Sequence, residues 1–321
     1  MSTVLRRILA SLVAVFALAA HAQEFPSRPI RIVVPTSGST TSDLTARFIA
    51  EQLGRELGVS VVVDNRTGSN GILAVSNFLA APADGHTLLL TYSGLYANAA
   101  LYKSVPYDPI RDFRILVGLN QVLLALVAAP NFPAATVRQL VDYARDRPNE
   151  VTYASASVGS STHLGPELLA GRAGVKLRHI PYKSGAQAVA DVAGGHVNIA
   201  MTAVPTAAPL VLSGKLKALA VTGSHRSALL PDVPTLQESG IPNAQITSRQ
   251  ALVAHAAIPE AAAAKLTAVV SKILATPEYA RFLATNGIEK ELMPPEAYSK
   301  SGPEELRLWT EMVVLSGAKF D

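Results

Sequence analysis

Short runs of β-branched residues alternate with amphipathic helical patterns in the first third of the chain. The alternating strand and helix patterns fall at 30–34, 42–57, 59–64, 72–81 and 86–92. Such alternation is typical of a parallel sheet with helices on its faces. It returns between residues 151 and 222, and 321 residues exceed the commonest size of a single domain. The sequence therefore predicts two α/β units. The predicted buried face of the helix at 42–57 carries Leu44, Phe48, Leu53 and Leu57.

Two hydroxyl-rich loops follow predicted strands in different halves of the chain. Loop one, residues 36–42, holds six Ser or Thr residues, and loop two, residues 155–162, holds five around Gly159. Each loop opens a predicted helix, whose first N–H groups lack intrahelical partners and carry the positive end of the helix dipole. The pair predicts one small acidic ligand held between two halves. Alternatively, each loop only caps its helix. The predicted ligand-contacting residues are Thr36, Ser37, Ser39, Thr40, Ser69, Ser93, Ser155, Ser157, Ser160, Ser161, Thr162 and Thr206.

The N-terminal segment 1–22 has the pattern of a cleavable secretory signal peptide. Arg6 and Arg7 precede an apolar run, and Ala20-His21-Ala22 forms a cleavage site before Gln23. The apolar run of about 13 residues is short for a membrane span, which needs about 20, although an uncleaved anchor stays an alternative. We expect cleavage after Ala22 and export to a bacterial periplasm. The chain has no cysteine, so neither a disulfide nor a lipidated cysteine is expected.

Several functional classes find no support in the sequence. Loss of the signal peptide removes two arginines and no acid, which lowers the formal charge from +4 to +2, and no basic run suggests nucleic-acid binding. The sequence lacks G-x-S-x-G, H-E-x-x-H and P-loop motifs, so we expect no catalytic residue, no metal and no cofactor. The rival hypothesis is a secreted hydrolase that uses a hydroxyl of loop two, with His163 as the obvious base.

An ordered set of short motifs extends along the whole chain. The motifs are Phe25-Pro-Ser-Arg-Pro-Ile-Arg-Ile-Val-Val-Pro35, Val61-Val-Val-Asp-Asn-Arg66, Pro82-Ala-Asp-Gly85, Pro106-Tyr-Asp-Pro109, Tyr153-Ala-Ser155 with Gly159 and His163-Leu164, His179-Ile-Pro-Tyr-Lys183, Gly214-Lys-Leu-Lys-Ala-Leu-Ala-Val-Thr222 and Leu230-Pro-Asp-Val-Pro-Thr235. In this set the chain resembles the Bug family of extracytoplasmic solute receptors, the substrate-binding proteins linked to tripartite tricarboxylate transporters.

This resemblance implies an α/β, two-lobed periplasmic-binding-protein fold of type II. Each lobe would be a mainly parallel sheet flanked by helices, with two hinge crossings. The apolar stretches 115–119 and 121–128 predict one long or two short strands that contain the first crossing near Asn120, and 247–256 predicts the return crossing. We therefore expect lobe 1 at 23–121 plus 248–321 and lobe 2 at 122–247.

The resemblance also implies the ligand and the partners. Family members hold organic acids through backbone N–H groups and ordered waters of the two loops. We expect a monomeric solute-binding protein that closes over a small organic carboxylate and delivers it to the membrane permease subunits of a tripartite tricarboxylate transporter. A receptor that signals without transport is the alternative within the binding class.

The chain departs from the family pattern at two places. Thr36 stands where loop one of the family has an aromatic residue, and Ser39 and Thr40 replace its glycine pair. Arg249 stands where an aromatic residue would line the cleft. We hypothesise that Arg249 pairs with the distal acid group of the ligand, since Arg suits carboxylates. Alternatively, it points outward or bonds a loop carbonyl.

Overall fold

The computed structural model describes residues 25–92, 94–291, 293 and 295–318. The predicted signal peptide and Ser93 lie outside these residues. Within the described residues no helix is both long enough and apolar enough to cross a membrane.

Strands and helices alternate along most of the described chain. Its strands are β1 Ile30–Val34, β2 Val61–Asn65, β3 Thr87–Leu90, β4 Phe113–Ala128, β5 Thr152–Ser155, β6 Arg178–Pro181, β7 Ile199–Ala203, β8 Lys217–Val221, β9 Thr247–His255 and β10 Glu289–Lys290. Its helices are α1 Thr41–Leu57, α2 Ile72–Leu79, α3 Gly94–Leu101, α4 Val137–Asp146, α5 Ser161–Ala173, α6 Gly185–Ala193, α7 Val204–Leu212, α8 Glu260–Leu274, α9 Pro277–Asn286, α10 Pro295–Ser299 and α11 Gly302–Ser316. A 3₁₀ turn, Ser69–Gly71, precedes α2.

The strands form two sheets that share β4. The first has the order β2-β1-β3-β9-β4-β10, in which β1 is parallel to β2 and β3 while β9 is antiparallel to its neighbours. The second has the order β6-β5-β7-β4-β8, with β5 parallel to β6 and β7. In each sheet most of these strands run in one direction. The predicted two-lobed α/β fold is confirmed.

The shared strand β4 carries the chain from one lobe to the other. As far as Leu123 it pairs with β9, and from Leu124 onward it pairs with β7. The stretch for which the sequence left one or two strands open is a single strand of 16 residues. Among the described residues, the two sheets are joined through β4, which pairs with β9 in the first sheet and with β7 and β8 in the second. Strand β9 begins at the same crossing and returns the chain to the first lobe.

Helix α1 follows its predicted position but buries a different face. Thr40 is its N-cap, and Gly58 ends it in the left-handed conformation at φ 68°. The buried side chains are Ser42, Asp43, Thr45, Ala46, Ile49, Ala50 and Leu53. The prediction that Leu44 lies on the buried face is wrong, since this side chain is 37% exposed. The sheet beneath α1 presents polar groups, which Ser42 and Thr45 meet.

The C-terminal helix α11 contacts both lobes. Residues 295–316 form two helices, α10 and α11, with Pro303 in the first turn of α11. Trp309 and Met312 are buried in one apolar cluster with Leu101 of α3 and Leu168 of α5. Arg172 of α5 also pairs with Glu311 of α11 at 2.5 Å. The helix therefore packs between the first lobe and the second.

Candidate ligand-binding site

Loop one is closed by its own hydroxyl groups. The hydroxyls of Thr36 and Thr40 lie 2.8 Å apart, and Thr40 donates to the carbonyl of Ser37 at 3.1 Å while accepting the N–H of Asp43 at 3.3 Å. Ser37 and Ser39 are exposed, and Ser39 has φ +64°. Thr36 and Thr40 thus shape the helix start, and the Ser37 and Ser39 side chains remain on the open face of the loop.

A buried carboxylate holds loop one on the sheet. Asp43 is 3% exposed, and its Oδ2 accepts the N–H of Ser39 at 2.9 Å and Nε–H of Arg47 at 3.0 Å. Burial alone would raise the pKa of Asp43, but these hydrogen bonds and the Arg47 charge outweigh burial and lower it. Asn65 extends the network by donating to the carbonyl of Thr36 at 3.0 Å. The loop therefore starts from a fixed position at the carboxyl ends of β1 and β2.

Loop two is closed in the same manner. Thr162 Oγ1 accepts the N–H of Ala156 at 3.0 Å and lies 2.8 Å from the hydroxyl of Ser160, which donates to the carbonyl of Ser157 at 2.8 Å. Gly159 donates its N–H to Nδ1 of His163 at 3.1 Å. Ser157 is exposed and Ser161 half-buried. The loop ends at the N-terminus of α5, so the first N–H groups of this helix lie beside it.

Loop two contacts the first lobe at Gly159. This residue is buried, and a Cβ atom added to it would lie 2.3 Å from Cδ1 of Leu101 and 3.3 Å from Nδ2 of Asn70. Leu101 ends α3, and Asn70 lies in the Ser69–Gly71 turn that follows β2. The carboxyl edges of strands in the two sheets therefore face each other here, which is where open α/β sheets bind ligands.

The Ser69–Gly71 turn is a third component of this edge, and Ser69 as a ligand contact stays a prediction. Ser69 is exposed, whereas Asn70 donates to Oδ1 of Asn98 at 2.6 Å, and its carbonyl accepts from Tyr92 at 2.8 Å and from Asn98 at 3.0 Å. Asn98 is fully buried. The signal in the sequence is Gly68-Ser-Asn-Gly71, whose glycines have φ +127° and +86° and allow a tight turn.

The remaining predicted residues lie apart from this contact or beyond the described chain. Thr206 is exposed in the first turn of α7, which follows β7, and Ser93 lies outside the described residues. Ser155 is 1% exposed at the end of β5, beneath loop two. Among the described residues, Thr206 makes no hydrogen bond to either loop, so its role stays a prediction.

Arg249 lies in a half-buried ionic cluster, and its contact with a ligand stays a prediction. Its Nη1 donates to Oε1 of Glu305 on α11 at 3.2 Å, and its Nε lies 3.8 Å from Oε2 of Glu291. Burial raises the pKa of Glu305, against the lowering effect of the Arg249 charge. A cavity of about 20 Å³ beside the pair, lined partly by Tyr96 and Tyr298, has room for about one water molecule. Here the guanidinium is neutralised by the protein itself.

The histidine that meets a serine is His179 and not His163. Its Nε2 lies 2.6 Å from the hydroxyl of Ser155. Burial lowers the pKa of His179 to about 4, and burial together with His179 lowers the pKa of His163 to about 4. A general base works best with a pKa near the operating pH. Weakly basic imidazoles over a buried hydroxyl give the hydrolase hypothesis no support, and the described residues contain no cluster of side chains that could hold a metal ion.

Comparisons with known proteins show the family and the fold of the chain. The family model described as "Tripartite tricarboxylate transporter family receptor" matches residues 45–315. Among solved structures, "R. palustris Rpa4515 with adipate" is 31% identical, has a TM-score of 0.82 and covers 92% of this chain and 100% of that one. The periplasmic binding protein BugD is 30% identical, with a TM-score of 0.79 and coverage of 92% and 99%. MatC from Rhodopseudomonas palustris with bound malate is 28% identical, with a TM-score of 0.79 and coverage of 90% and 100%.

Proposed function

Because the chain belongs to the tripartite tricarboxylate transporter receptor family, also represented by the Bug proteins, we propose that it captures a small organic carboxylate between its lobes and delivers it to a membrane permease. The observation that carries this proposal is the approach of loop two to the first lobe at Gly159, Leu101 and Asn70. Two helix N-termini and their hydroxyl loops lie at the facing carboxyl edges of the two sheets.

The geometry favours an anion with two acid groups. The N-terminal turn of α5 offers hydrogen-bond donors and a partial positive charge without a lysine or arginine in the turn. The N-terminal turn of α1 offers donors as well, and its own Asp43 carboxylate is paired with Arg47. Each lobe can hold one carboxylate group of the ligand. Such a ligand stabilises the closed form, because only in that form can both lobes contact it at once. The relatives solved with adipate and with malate hold dicarboxylates. The ligand-facing residues in this proposal are the exposed hydroxyls of both loops, Ser37, Ser39 and Ser157, together with Ser161.

In this proposal, Glu305 competes with the ligand for the guanidinium of Arg249. A ligand acid group would have to share the guanidinium with Glu305, which already accepts its Nη1–H. Arg carries five N–H donors, so one carboxylate leaves others for a second. We propose, as an alternative to one helix N-terminus, that the distal acid of the ligand uses such a donor, and loss of affinity in Arg249→Ala is the expected sign.

Export and lobe boundaries complete the proposal. We propose cleavage after Ala22, a mature periplasmic monomer that begins at Gln23, and lobes at 23–121 plus 248–321 and at 122–247. The packing of α11 on α5 means that the C-terminal helix moves against the second lobe if it closes with the first. N-terminal sequencing of the exported protein tests the cleavage site, and a start elsewhere would refute it.

A thermal-shift screen tests the binding function. The mature chain would be melted alone and with mono-, di- and tricarboxylates, including adipate and malate. A ligand that binds only the folded state at 100 times its Kd stabilises by about 2.7 kcal/mol, which raises the melting temperature measurably. Neutral sugars and amines serve as controls. If no carboxylate raises the melting temperature, the carboxylate proposal fails.

Transport and sensing separate in a cell that lacks the gene. Uptake of the radiolabelled carboxylate found in the screen should fall when the receptor is deleted and return with the wild-type gene. Unchanged uptake combined with a lost transcriptional response would contradict delivery to a permease and favour a sensor.

A further inference from the structure

We infer that His163 is a positioning residue of the proposed ligand site: its neutral imidazole holds the N–H of Gly159, and protonation of the ring releases loop two. The inference rests on the proposed function for its effect on affinity, whereas the hydrogen bond itself is testable without any ligand. His163 is the residue that the rival hypothesis treated as a base, and the structure gives it a different task.

The hydrogen bond fixes the tautomer of His163. Gly159 donates its N–H to Nδ1 at 3.1 Å, so Nδ1 carries a lone pair and the ring proton is on Nε2. The side chain is 3% exposed. Gly159 is the residue that contacts Leu101 and Asn70 across the lobes. The hydrogen bond to His163 Nδ1 therefore fixes the position of Gly159 where loop two contacts the first lobe.

The surroundings of His163 oppose a positive charge. The ring stacks on His179 of β6 with centroids 4.1 Å apart, and it faces Tyr153 of β5 at 6.2 Å. Tyr153 donates its hydroxyl proton to Glu167, one turn along α5 from His163. Arg172, in the last turn of α5, pairs with Glu311 of α11 and lies nine residues along the helix from His163. The nearest ionisable neighbour is thus a second imidazole, and its protonation would repel a charge on His163.

Protonation reverses the role of Nδ1. A protonated imidazole has donors at both nitrogens, so an N–H of the ring would face the N–H of Gly159 across 3.1 Å. Burial, reinforced by His179, lowers the pKa of His163 to about 4. The hydrogen bond is therefore intact near neutral pH and is lost as the pH falls toward 4. Ligand affinity should follow the same course.

Two substitutions separate the acceptor from the charge. His163→Asn places a non-titrating carbonyl oxygen near the position of Nδ1, and His163→Leu removes the acceptor while keeping an apolar side chain. His255→Leu is the matched control, because His255 Nδ1 accepts the N–H of Ala257 at 3.1 Å in a loop of the first lobe. Loss of a buried hydrogen-bond partner lowers affinity about tenfold or more when the loop belongs to the binding site.

Calorimetric titration with adipate and with malate at pH 7.5 and pH 3.5, below the pKa of His163, is the test of the effect. We expect His163→Leu to lose about tenfold in affinity at pH 7.5, His163→Asn to stay near the wild type, and His255→Leu to be unchanged. Acid should weaken the wild type more than His163→Asn. Titration of the ligand carboxylates affects all variants equally, so the difference between variants reports His163. Equal affinities of His163→Leu and the wild type would overturn the inference.

Nitrogen NMR of the imidazoles tests the hydrogen bond without a ligand. In the ligand-free protein at pH 7.5, Nδ1 of His163 should be unprotonated and coupled to the Gly159 amide proton, and both signals should change together in acid. A proton on Nδ1 at neutral pH would overturn the inference. If neither acid binds the wild type while the NMR result holds, the fault lies with the choice of ligand in the proposed function and not with the role of His163.

Discussion

Substitution of Gly159 by Ala should weaken ligand binding by obstructing the contact between the lobes. The added methyl group would lie 2.3 Å from Cδ1 of Leu101, whereas two carbon atoms in contact are ordinarily 3.5–4.0 Å apart. The overlap exceeds about 1 Å, so loop two or the end of α3 must move. An open form, in which the loop has left Leu101, does not meet this obstacle.

The expected magnitude follows from two separate costs. Overpacking a tight contact costs about 1–3 kcal/mol, and this cost falls on the closed form alone. Gly159 also has φ +79°, where an L residue costs about 1–2 kcal/mol, but that cost is present in both forms and cancels from the affinity. The overpacking cost should therefore weaken binding about 5- to 150-fold. The backbone cost should lower the free energy of unfolding and leave the affinity unchanged.

A double-mutant cycle with Leu101→Ala measures the contact itself. Calorimetry with the carboxylate found in the thermal-shift screen would be run on the wild type, both single variants and Gly159→Ala/Leu101→Ala. Because Leu101→Ala removes the obstructing methyl groups, Gly159→Ala should cost little affinity in that background. An equal loss of affinity in both backgrounds would refute the steric argument.

Gly174→Ala is the matched control for backbone strain. Gly174 has φ +66°, and a Cβ atom added there meets no atom within 4 Å. It should lower the melting temperature and leave the affinity unchanged. If Gly174→Ala weakens binding as much as Gly159→Ala, general destabilisation explains both results, and the contact with Leu101 has no special role.

Three further perturbations follow from the site. Thr40→Ala should lower the free energy of unfolding by about 1 kcal/mol through loss of the α1 N-cap, whereas Thr40→Ser keeps the cap; equal urea midpoints for all three proteins would contradict this. Arg249→Ala should lower the free energy of unfolding by about 3–5 kcal/mol, because the Glu305 and Glu291 carboxylates lose their cation. Adding Glu305→Gln to Arg249→Ala should recover part of this loss. An unchanged ligand affinity of Arg249→Ala in calorimetry would refute a ligand role for Arg249. In acid, the unfolded chain protonates His163 near pH 6.5 while the folded protein resists to about pH 4, so His163 should contribute about 3 kcal/mol to the fall in the free energy of unfolding across this window, and His179 adds its own share. His163→Asn should lose only the His163 share, and a pH slope equal to that of the wild type would contradict the assignment.

The sequence predicted the features that depend on local pattern. Apolar runs, glycine and proline positions and hydroxyl-rich loops specify strands, helix ends and caps over a few residues, and loops one and two lie where the alternation placed them. The order of motifs carried the family, which the match to residues 45–315 supports. Thr40 as an N-cap is typical of this success, because the capping hydrogen bond spans three residues.

The sequence did not predict the features that depend on tertiary contacts. Helix α3 was not foreseen, because Gly94–Leu101 has weak amphipathic periodicity, and Leu101 gains its importance only from Gly159, which is distant in the chain. His179 and Ser155 are likewise on different strands, and their hydrogen bond follows from the pairing of β5 with β6. Arg249 attracted attention as a free charge, but its counterions lie on segments more than forty residues away.

The error at Leu44 has a physical cause that also bears on the crossing between lobes. Asn120 of β4 and Gln250 of β9 are directly opposite one another and are buried to 0% and 1% exposure. Asn120 donates to Thr45 at 3.1 Å and Gln250 to Ser42 at 3.0 Å. Apolar periodicity does not count hydroxyl side chains as buried, so the pattern predicted a buried face of α1 that included Leu44.

These two hydrogen bonds fasten the first turns of α1 to both crossing strands. A buried amide is costly to separate from its partner, so loop one, at the start of α1, stays fixed relative to the crossing. In the proposed lobe closure, loop two would therefore approach a loop one that stays fixed relative to the crossing. Displacement about a crossing grows with distance from it, and Gly159 at the tip of loop two is the residue of that loop that contacts Leu101 and Asn70 of the first lobe. A methyl group at Gly159 would obstruct loop two where its displacement is largest. For this reason Gly159 is a more sensitive probe of the proposed closure than a residue of the crossing.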